Sequence, residues 1–335
     1  MFYNPAMASD RDLNVALVAA WRRLDPRPRR GWEMLSATGA RGLRVLHEAG
    51  GFDELTLTEH DSEAFEVLRR NAVPYEGEGA RPQLQDARRA PSPAGFDYVD
   101  LDPYGTPVPF LPAAVASVRP GGLLAVTATD TRVLAGAQGG VAERRYGGRP
   151  IRGRLGPESG LRLLLALIAK VAGEFGGGIV PRLAYVGDHH VRAYVSRTVG
   201  ASEGDAPPVG RIDPATWTGP TVLGGAIYGP MWLGPLFDPE WVETMEVPSA
   251  PADLRRTART IALLRGECRL RAPFYYESNV LARELHVAEP PSPTAMVEEL
   301  VRRGHPTAPT HARPGAFRTE ATHQEVVACV RALTH

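Results

Sequence analysis

Short apolar runs alternate with segments of helical period through residues 32–130, and no other feature of this 335-residue chain narrows its fold so far. Trp32–Leu35, Leu55–Thr58, Pro82–Ala87, Gly95–Val99 and Leu123–Asp130 read as strands, the last entered by a turn at Pro120-Gly121-Gly122. Between them, helical patterns open near Leu43 and run over Ala64–Asn71 and Phe110–Val118. Strands joined through helices lie parallel in one sheet, so the expected class is α/β, a Rossmann-like doubly wound sheet. In such sheets ligands bind outside the carboxyl ends of the strands.

Four of those ends carry chemistry-bearing residues. The first strand runs into Ser36-Ala37-Thr38-Gly39-Ala40-Arg41-Gly42, a glycine-containing turn before a helix, which presents backbone N–H groups to a nucleotide-like ligand. Only two glycines are present, so the turn lacks a full dinucleotide fingerprint. The second strand ends at Glu59, near the spacing of a ribose-binding acid; a solvent-facing glutamate is the alternative. The third ends at Asp86-Ala87. The fourth enters Asp100-Leu101-Asp102-Pro103-Tyr104-Gly105, where a carboxylate, a prolyl carbonyl and an aromatic face in consecutive positions suit a planar group bearing an amine. Asp-Pro and Tyr-Gly also favour turns, so these residues alone leave a plain turn open.

Upstream, Asp10-Arg11-Asp12-Leu13 introduces a helix through Val15, Leu17, Val18 and Trp21, with Asp10 as its expected cap. Residues 131–158 show little periodicity and gather Arg132, Arg144, Arg145, Arg149, Arg152 and Arg154 against Glu143, so an irregular insertion over the crevice is expected. Such a segment is either a solvated loop or a holder of a phosphate backbone. Glu158–Ala172 reads as an apolar helix, and Ile179–Tyr185 and Val191–Arg197 as two antiparallel strands. The turn between them holds Asp188, His189 and His190; neighbours on a strand point to opposite faces, so a structural role is expected rather than a shared metal. Residues 199–225 read as a linker or loose hairpin, and Ala226–Pro235 as an apolar piece packing back on the first domain. Beyond a boundary near Val247–Pro251, helices at 252–268, 277–285 and 294–303 and a ribbon over Thr310–Thr319 make a smaller α+β, winged-helix-like unit. The expected division is therefore 1–246 and 247–335.

Composition excludes several classes. Lys+Arg and Asp+Glu balance at 38 each, so net charge does not announce a nucleic-acid partner. No run reaches the roughly 20 apolar residues of a membrane span, and Met1-Phe2-Tyr3-Asn4-Pro5 has no signal-peptide pattern, so a cytoplasmic location is expected. Cys268 and Cys329 are too few for a disulfide framework or a cysteine metal site, and no metal is expected.

Taken in order, Phe2-Tyr3-Asn4-Pro5 with Arg11-Asp12, Leu35–Gly42, Asp100–Gly105, Val126–Asp130, Arg144-Arg145-Tyr146-Gly147, Asp188–Arg192 and Tyr228–Pro235 resemble the tRNA (guanine-26-N(2)) dimethyltransferases, archaeal type, over nearly the whole chain. The resemblance implies a class I methyltransferase. It would carry one or two methyl groups from S-adenosylmethionine (AdoMet) to the exocyclic 2-amino group of a tRNA guanine, most closely position 26. It implies AdoMet binding by Arg11, Thr38, Gly39, Arg41, Glu59, Asp86 and Ala87. The amine site would comprise Asp102, Pro103 and Tyr104, with Phe2 against the target base. Arg144, Arg145, Arg149 and Arg152, with the C-terminal unit, would hold tRNA; no membrane or protein partner is implied. Departures from the family are Asp10 in place of the usual Asn, Pro157 in place of a common His, a short segment before Phe2, and the absence of a cysteine set near 205–225. The open alternatives are an amino-group methyltransferase for another tRNA guanine, another nucleic-acid base or a protein glutamine, a nicotinamide-dependent oxidoreductase, and a non-catalytic RNA-binding protein of the same fold.

Overall fold

The computed structural model describes residues 3–27, 29–89, 95–200, 206–222 and 225–334. Its centre is a seven-stranded sheet of β1 (Arg29–Glu33), β2 (Phe52–Glu59), β3 (Ala80–Leu84), β4 (Phe96–Leu101), β5 (Val118–Ala128), β6 (Gly177–Val186) and β7 (Val191–Val199), in the order β3-β2-β1-β4-β5-β7-β6. The first five strands pair in parallel, and β7 and β6 add antiparallel at one edge. Every residue of β4 is buried, the pattern of a strand covered on both faces. Strand order reverses between β1 and β4, so their carboxyl ends flank the topological switch point.

The helices are α1 (Ala8–Leu24), α2 (Ala40–Arg44, continuing as a π-helical turn over Val45–Ala49), α3 (Ser62–Ala72), α4 (Leu111–Ser117), α5 (Thr131–Leu134), α6 (Gly139–Tyr146) and α7 (Gly156–Glu174). Two expectations change here. Pro120-Gly121-Gly122 does not precede β5 but lies within it: Phe96 pairs with Val118 and Tyr98 with Leu123, so the extra residues bulge out of an otherwise continuous strand. The segment 131–158 is not irregular. It folds as α5, α6 and a 3₁₀ turn at Gly153–Leu155, because Ala142 and Tyr146 bury one side of a helix whose arginines occupy the other. Asp130 ties that helix down, accepting from the Tyr146 hydroxyl at 2.6 Å and from Arg145 at 2.8 Å.

Part of the 199–225 stretch forms β8 (Val209–Ile212), antiparallel to β9 (Tyr228–Trp232), whose residues pack on α7. Next come α8 (Pro239–Thr244), α9 (Leu254–Glu267), α10 (Ser278–Glu284), α11 (Pro293–Arg302) and α12 (His323–Leu333). A three-stranded sheet lies among them, with β10 (Tyr276–Glu277), β11 (Thr307–Pro309) and β12 (Ala316–Thr319) in the order β10-β12-β11. Ile261 and Leu264 of α9 belong to the same large core as the seven-stranded sheet, whereas Leu281, Met296, Leu300, Phe317, Val326 and Val330 form a second one.

A buried ion network joins these parts. Glu158 on α7 receives Arg318 of β12 at 2.8 Å and 3.1 Å, Arg162 at 2.7 Å and the Phe274 N–H at 2.8 Å, while Arg318 also reaches Glu267 at 3.2 Å. Burial pushes the Glu158 carboxyl up; Arg318 and Arg162 overcome that and bring it down to about 2. Burial lowers the Arg162 pKa, whereas at Arg318 burial is outweighed by Glu158 and Glu267, which together raise it.

Candidate active site

The turn after β1 has the geometry its glycine announced. Ala37 and Gly39 are left-handed, at φ 47° and 77°, and Gly39 sets the start of α2. A Cβ on Gly39 would stand 2.7 Å from Leu68 Cδ1, so a side chain here would collide as well as strain the backbone. Glu59, at the end of β2, holds the turn: its carboxylate accepts the Ala37 N–H at 3.0 Å, and those of His60 and Asp61 at 2.8 Å and 3.0 Å. Three of a carboxylate's roughly four acceptor sites are thus filled, which leaves room for one hydroxyl donor. Asp86 is paired bidentately with Arg88, which with the Arg88 N–H holds its carboxyl well below the usual range, and Ala87 is buried beside it.

Asp102 emerges from β4 at the switch point. Its carboxylate meets Arg41 Nη2 at 2.8 Å, and the same nitrogen meets Asp10 Oδ2 at 2.6 Å. Pro103 is buried and Tyr104 presents its ring to solvent, 93% exposed. Gly105 fixes the loop to the end of β5, its N–H donating to Thr129 Oγ1 at 2.7 Å and its carbonyl accepting the Thr129 N–H at 2.9 Å. One carboxylate, a prolyl carbonyl and an aromatic face are thereby placed together. Phe2, assigned to the same pocket, lies outside the described residues. Arg11 is not directed at this loop: it donates to the Tyr3 hydroxyl at 2.9 Å and lies 4.6 Å over that ring.

Asp10 departs from its expected role. It is the third residue of α1 and makes no cap; its buried carboxylate accepts from the Tyr185 hydroxyl, from His190 Nε2 at 2.9 Å and from Arg41. Burial raises the Asp10 carboxyl, but Arg41 and His190 more than reverse this and hold it well below the usual range. A second buried layer supports the first. Arg192 of β7 donates to Asp100 Oδ2 at 2.7 Å and to Asn14 Oδ1 at 3.0 Å, and Tyr98 donates to Asp100 at 2.6 Å. Sequence reading missed Asp100, Arg192, Asn14 and the role of Asp10. For Asp100 and Arg192 the available signal was a charged residue inside an apolar strand.

Arg41 Nη1 is buried without an acceptor among the described residues. A buried cationic donor at the glycine turn, beside a carboxylate with one open acceptor site, fits a cofactor bearing both a carboxylate and a ribose. A cleft of about 840 Å³ shares only Asp10, Tyr185 and His190 with this network; Arg256, Arg259 and His311 also line it. Chemistry favours the strand-end crevice over that cleft, since Asp102, Gly39 and Glu59 line only the former. Among the candidate RNA contacts, Arg145 pairs with Asp130 and Arg149 with Glu143 at 3.4 Å, while Arg144 and Arg152 are exposed. Among the described residues no group of three or more His, Cys, Asp or Glu is placed to hold a metal, and no helix is long and apolar enough to cross a membrane.

Comparison with known proteins agrees with this geometry. The family model described as N2,N2-dimethylguanosine tRNA methyltransferase matches residues 1–207 and 223–331. The tRNA (guanine(26)-N(2))-dimethyltransferase of Thermococcus kodakarensis is 35% identical over 96% of this chain and 90% of its own length; that of Aeropyrum pernix is 30% identical over 98% and 89%. The structure of Trm1 from Pyrococcus horikoshii with S-adenosyl-L-methionine superposes with a TM-score of 0.86 at 30% identity, covering 98% of this chain and 94% of that one. With a class I sheet, an aspartate-proline-aromatic loop at its switch point and these matches over nearly its full length, the chain belongs to the N2,N2-dimethylguanosine tRNA methyltransferase family.

Proposed function

We propose that this protein transfers one or two methyl groups from AdoMet to the exocyclic 2-amino group of the guanine at position 26 of tRNA. The observation that carries the reading is the Asp102-Pro103-Tyr104 loop at the switch point, its carboxylate held by Arg41 beside the glycine turn. Arg41, Thr38, Gly39, Glu59, Asp86 and Ala87, with Arg11, are the residues that hold the cofactor. Bound there, AdoMet supplies a methyl group on a positively charged sulfur.

A guanine amine is conjugated with its ring and is a weak nucleophile. Asp102 and the Pro103 carbonyl accept its N–H groups, turning the lone pair toward the methyl and stabilising positive charge as the nitrogen becomes tetrahedral. The N–C bond forms as the S–C bond breaks, sulfur keeps the electron pair, and the nitrogen then loses a proton to water. Tyr104, with Phe2, stacks on the base. Freeing that base from the tRNA core costs about a few kcal/mol. Phosphate contacts from Arg144, Arg145, Arg149 and Arg152 and from the unit spanning 247–335 offset the cost, with catalysis resident in 1–246. We place the activity in the cytoplasm, with tRNA as the partner.

Incubation with labelled AdoMet and an unmodified tRNA transcript, followed by digestion to nucleosides, should yield N(2)-methylguanosine and N(2),N(2)-dimethylguanosine at position 26. Label in adenosine or in protein would overturn the reading.

A further inference from the structure

Two carboxylates share one arginine nitrogen in this site. Arg41 Nη2 lies 2.6 Å from Asp10 and 2.8 Å from Asp102, and all three side chains are largely shielded from water. Counted together, the three carry one net negative charge. The adjoining Asp100–Arg192 pair is neutral in sum. Tyr185 donates a neutral hydroxyl to Asp10, and His190 Nε2 lies 2.9 Å from the same carboxylate. Arg11 donates to the Tyr3 hydroxyl and also lies within electrostatic reach of Asp10 and Arg41. If Asp10 were an uncharged acceptor, Arg41 would be paired with Asp102 alone and the site would carry one negative charge fewer.

The methyl donor is a cation and its product is a neutral thioether of nearly the same shape. Since the methyl must lie between the sulfur and the amine held by Asp102, the charge that distinguishes donor from product falls close to this triad. We propose that Asp10 is a specificity-determining residue: as the second carboxylate on the arginine that holds Asp102, it adds a negative charge to the site and makes it prefer the sulfonium donor over the thioether product. The inference rests on the functional reading above and deepens it. A second methylation of the same guanine requires the spent cofactor to leave and a charged one to enter, and this preference drives that exchange.

The test is a binding measurement without RNA. AdoMet and S-adenosylhomocysteine are titrated calorimetrically at pH 8 into wild type, Asp10→Asn, His190→Lys and Tyr185→Phe. Asp10→Asn keeps the size and hydrogen-bonding reach of the side chain but removes its charge. His190→Lys leaves Asp10 in place and sets a cation against it. Both should lower the preference for AdoMet over the thioether by about tenfold, the order expected for a unit charge acting over about 10 Å at an effective dielectric constant of about 20. Tyr185→Phe removes a hydrogen bond and no charge, so both affinities fall together and their ratio holds. An unchanged ratio in Asp10→Asn and His190→Lys, or an equal shift in Tyr185→Phe, would overturn the inference alone. Wild type binding neither ligand would overturn the functional reading, and the inference with it.

Discussion

Glu33 closes β1 directly beneath the glycine turn, and its carboxyl is displaced far upward. One oxygen accepts the Gly42 N–H at 3.0 Å; the other is buried without a partner among the described residues. Burial first, and the nearby Asp100 carboxylate second, raise its pKa from 4.5 to about 8. An acid whose folded pKa exceeds its unfolded one binds more protons when folded. Its contribution to stability is therefore complete below pH 4.5 and declines until the folded value is passed near pH 8. At about 1.4 kcal/mol per factor of ten in proton affinity, the whole decline is on the order of 5 kcal/mol. Glu33→Gln mimics the protonated form and keeps the acceptor for Gly42, so it removes this dependence. Urea unfolding of both proteins at intervals from pH 5 to pH 9 gives a difference curve in which other titrating groups cancel. The variant should gain on wild type by about 1.4 kcal/mol per pH unit, levelling off near pH 8. Parallel curves would refute the argument, because they would mean that Glu33 is as easily ionised in the fold as in the unfolded chain.

Other perturbations separate the parts of the site. Asp102→Ala should slow single-turnover transfer to tRNA by at least about 100-fold while AdoMet affinity falls no more than about tenfold, and near-normal turnover would remove Asp102 from the chemistry. Arg318→Met leaves Glu158 and Glu267 without their shared cation and should cost about 3–5 kcal/mol in denaturant unfolding; a loss below about 1 kcal/mol would show that Arg162 on Glu158, and His311 at 2.5 Å from Glu267, suffice. Because Arg145 and Arg149 are already paired, Arg144→Ala should weaken tRNA binding most and flatten log K against log salt by about 0.7–0.9. Equal effects at all three arginines would indicate that their ion pairs open on binding.

The strand alternation and the residues at strand ends determined much of this protein before any coordinates. Local pattern reports local structure, and the Gly39 turn, Glu59 and the Asp102 loop each sit immediately after a strand whose own sequence marks it. The ordered motifs likewise carried the family. What sequence could not determine was which side chains meet across elements. Asp10 and Arg41 stand 31 residues apart, and Asp100 and Arg192 stand 92 apart. Their pairing depends on α1 packing beside α2, on β7 adding next to β5 one strand away from β4, and on a buried charge needing a partner wherever the fold can supply one. The same reason accounts for α6, whose two buried side chains acquire their apolar neighbours only once the sheet is assembled. Position along the chain identified the Asp102 loop at a strand end; packing alone determined that its aspartate shares an arginine with Asp10.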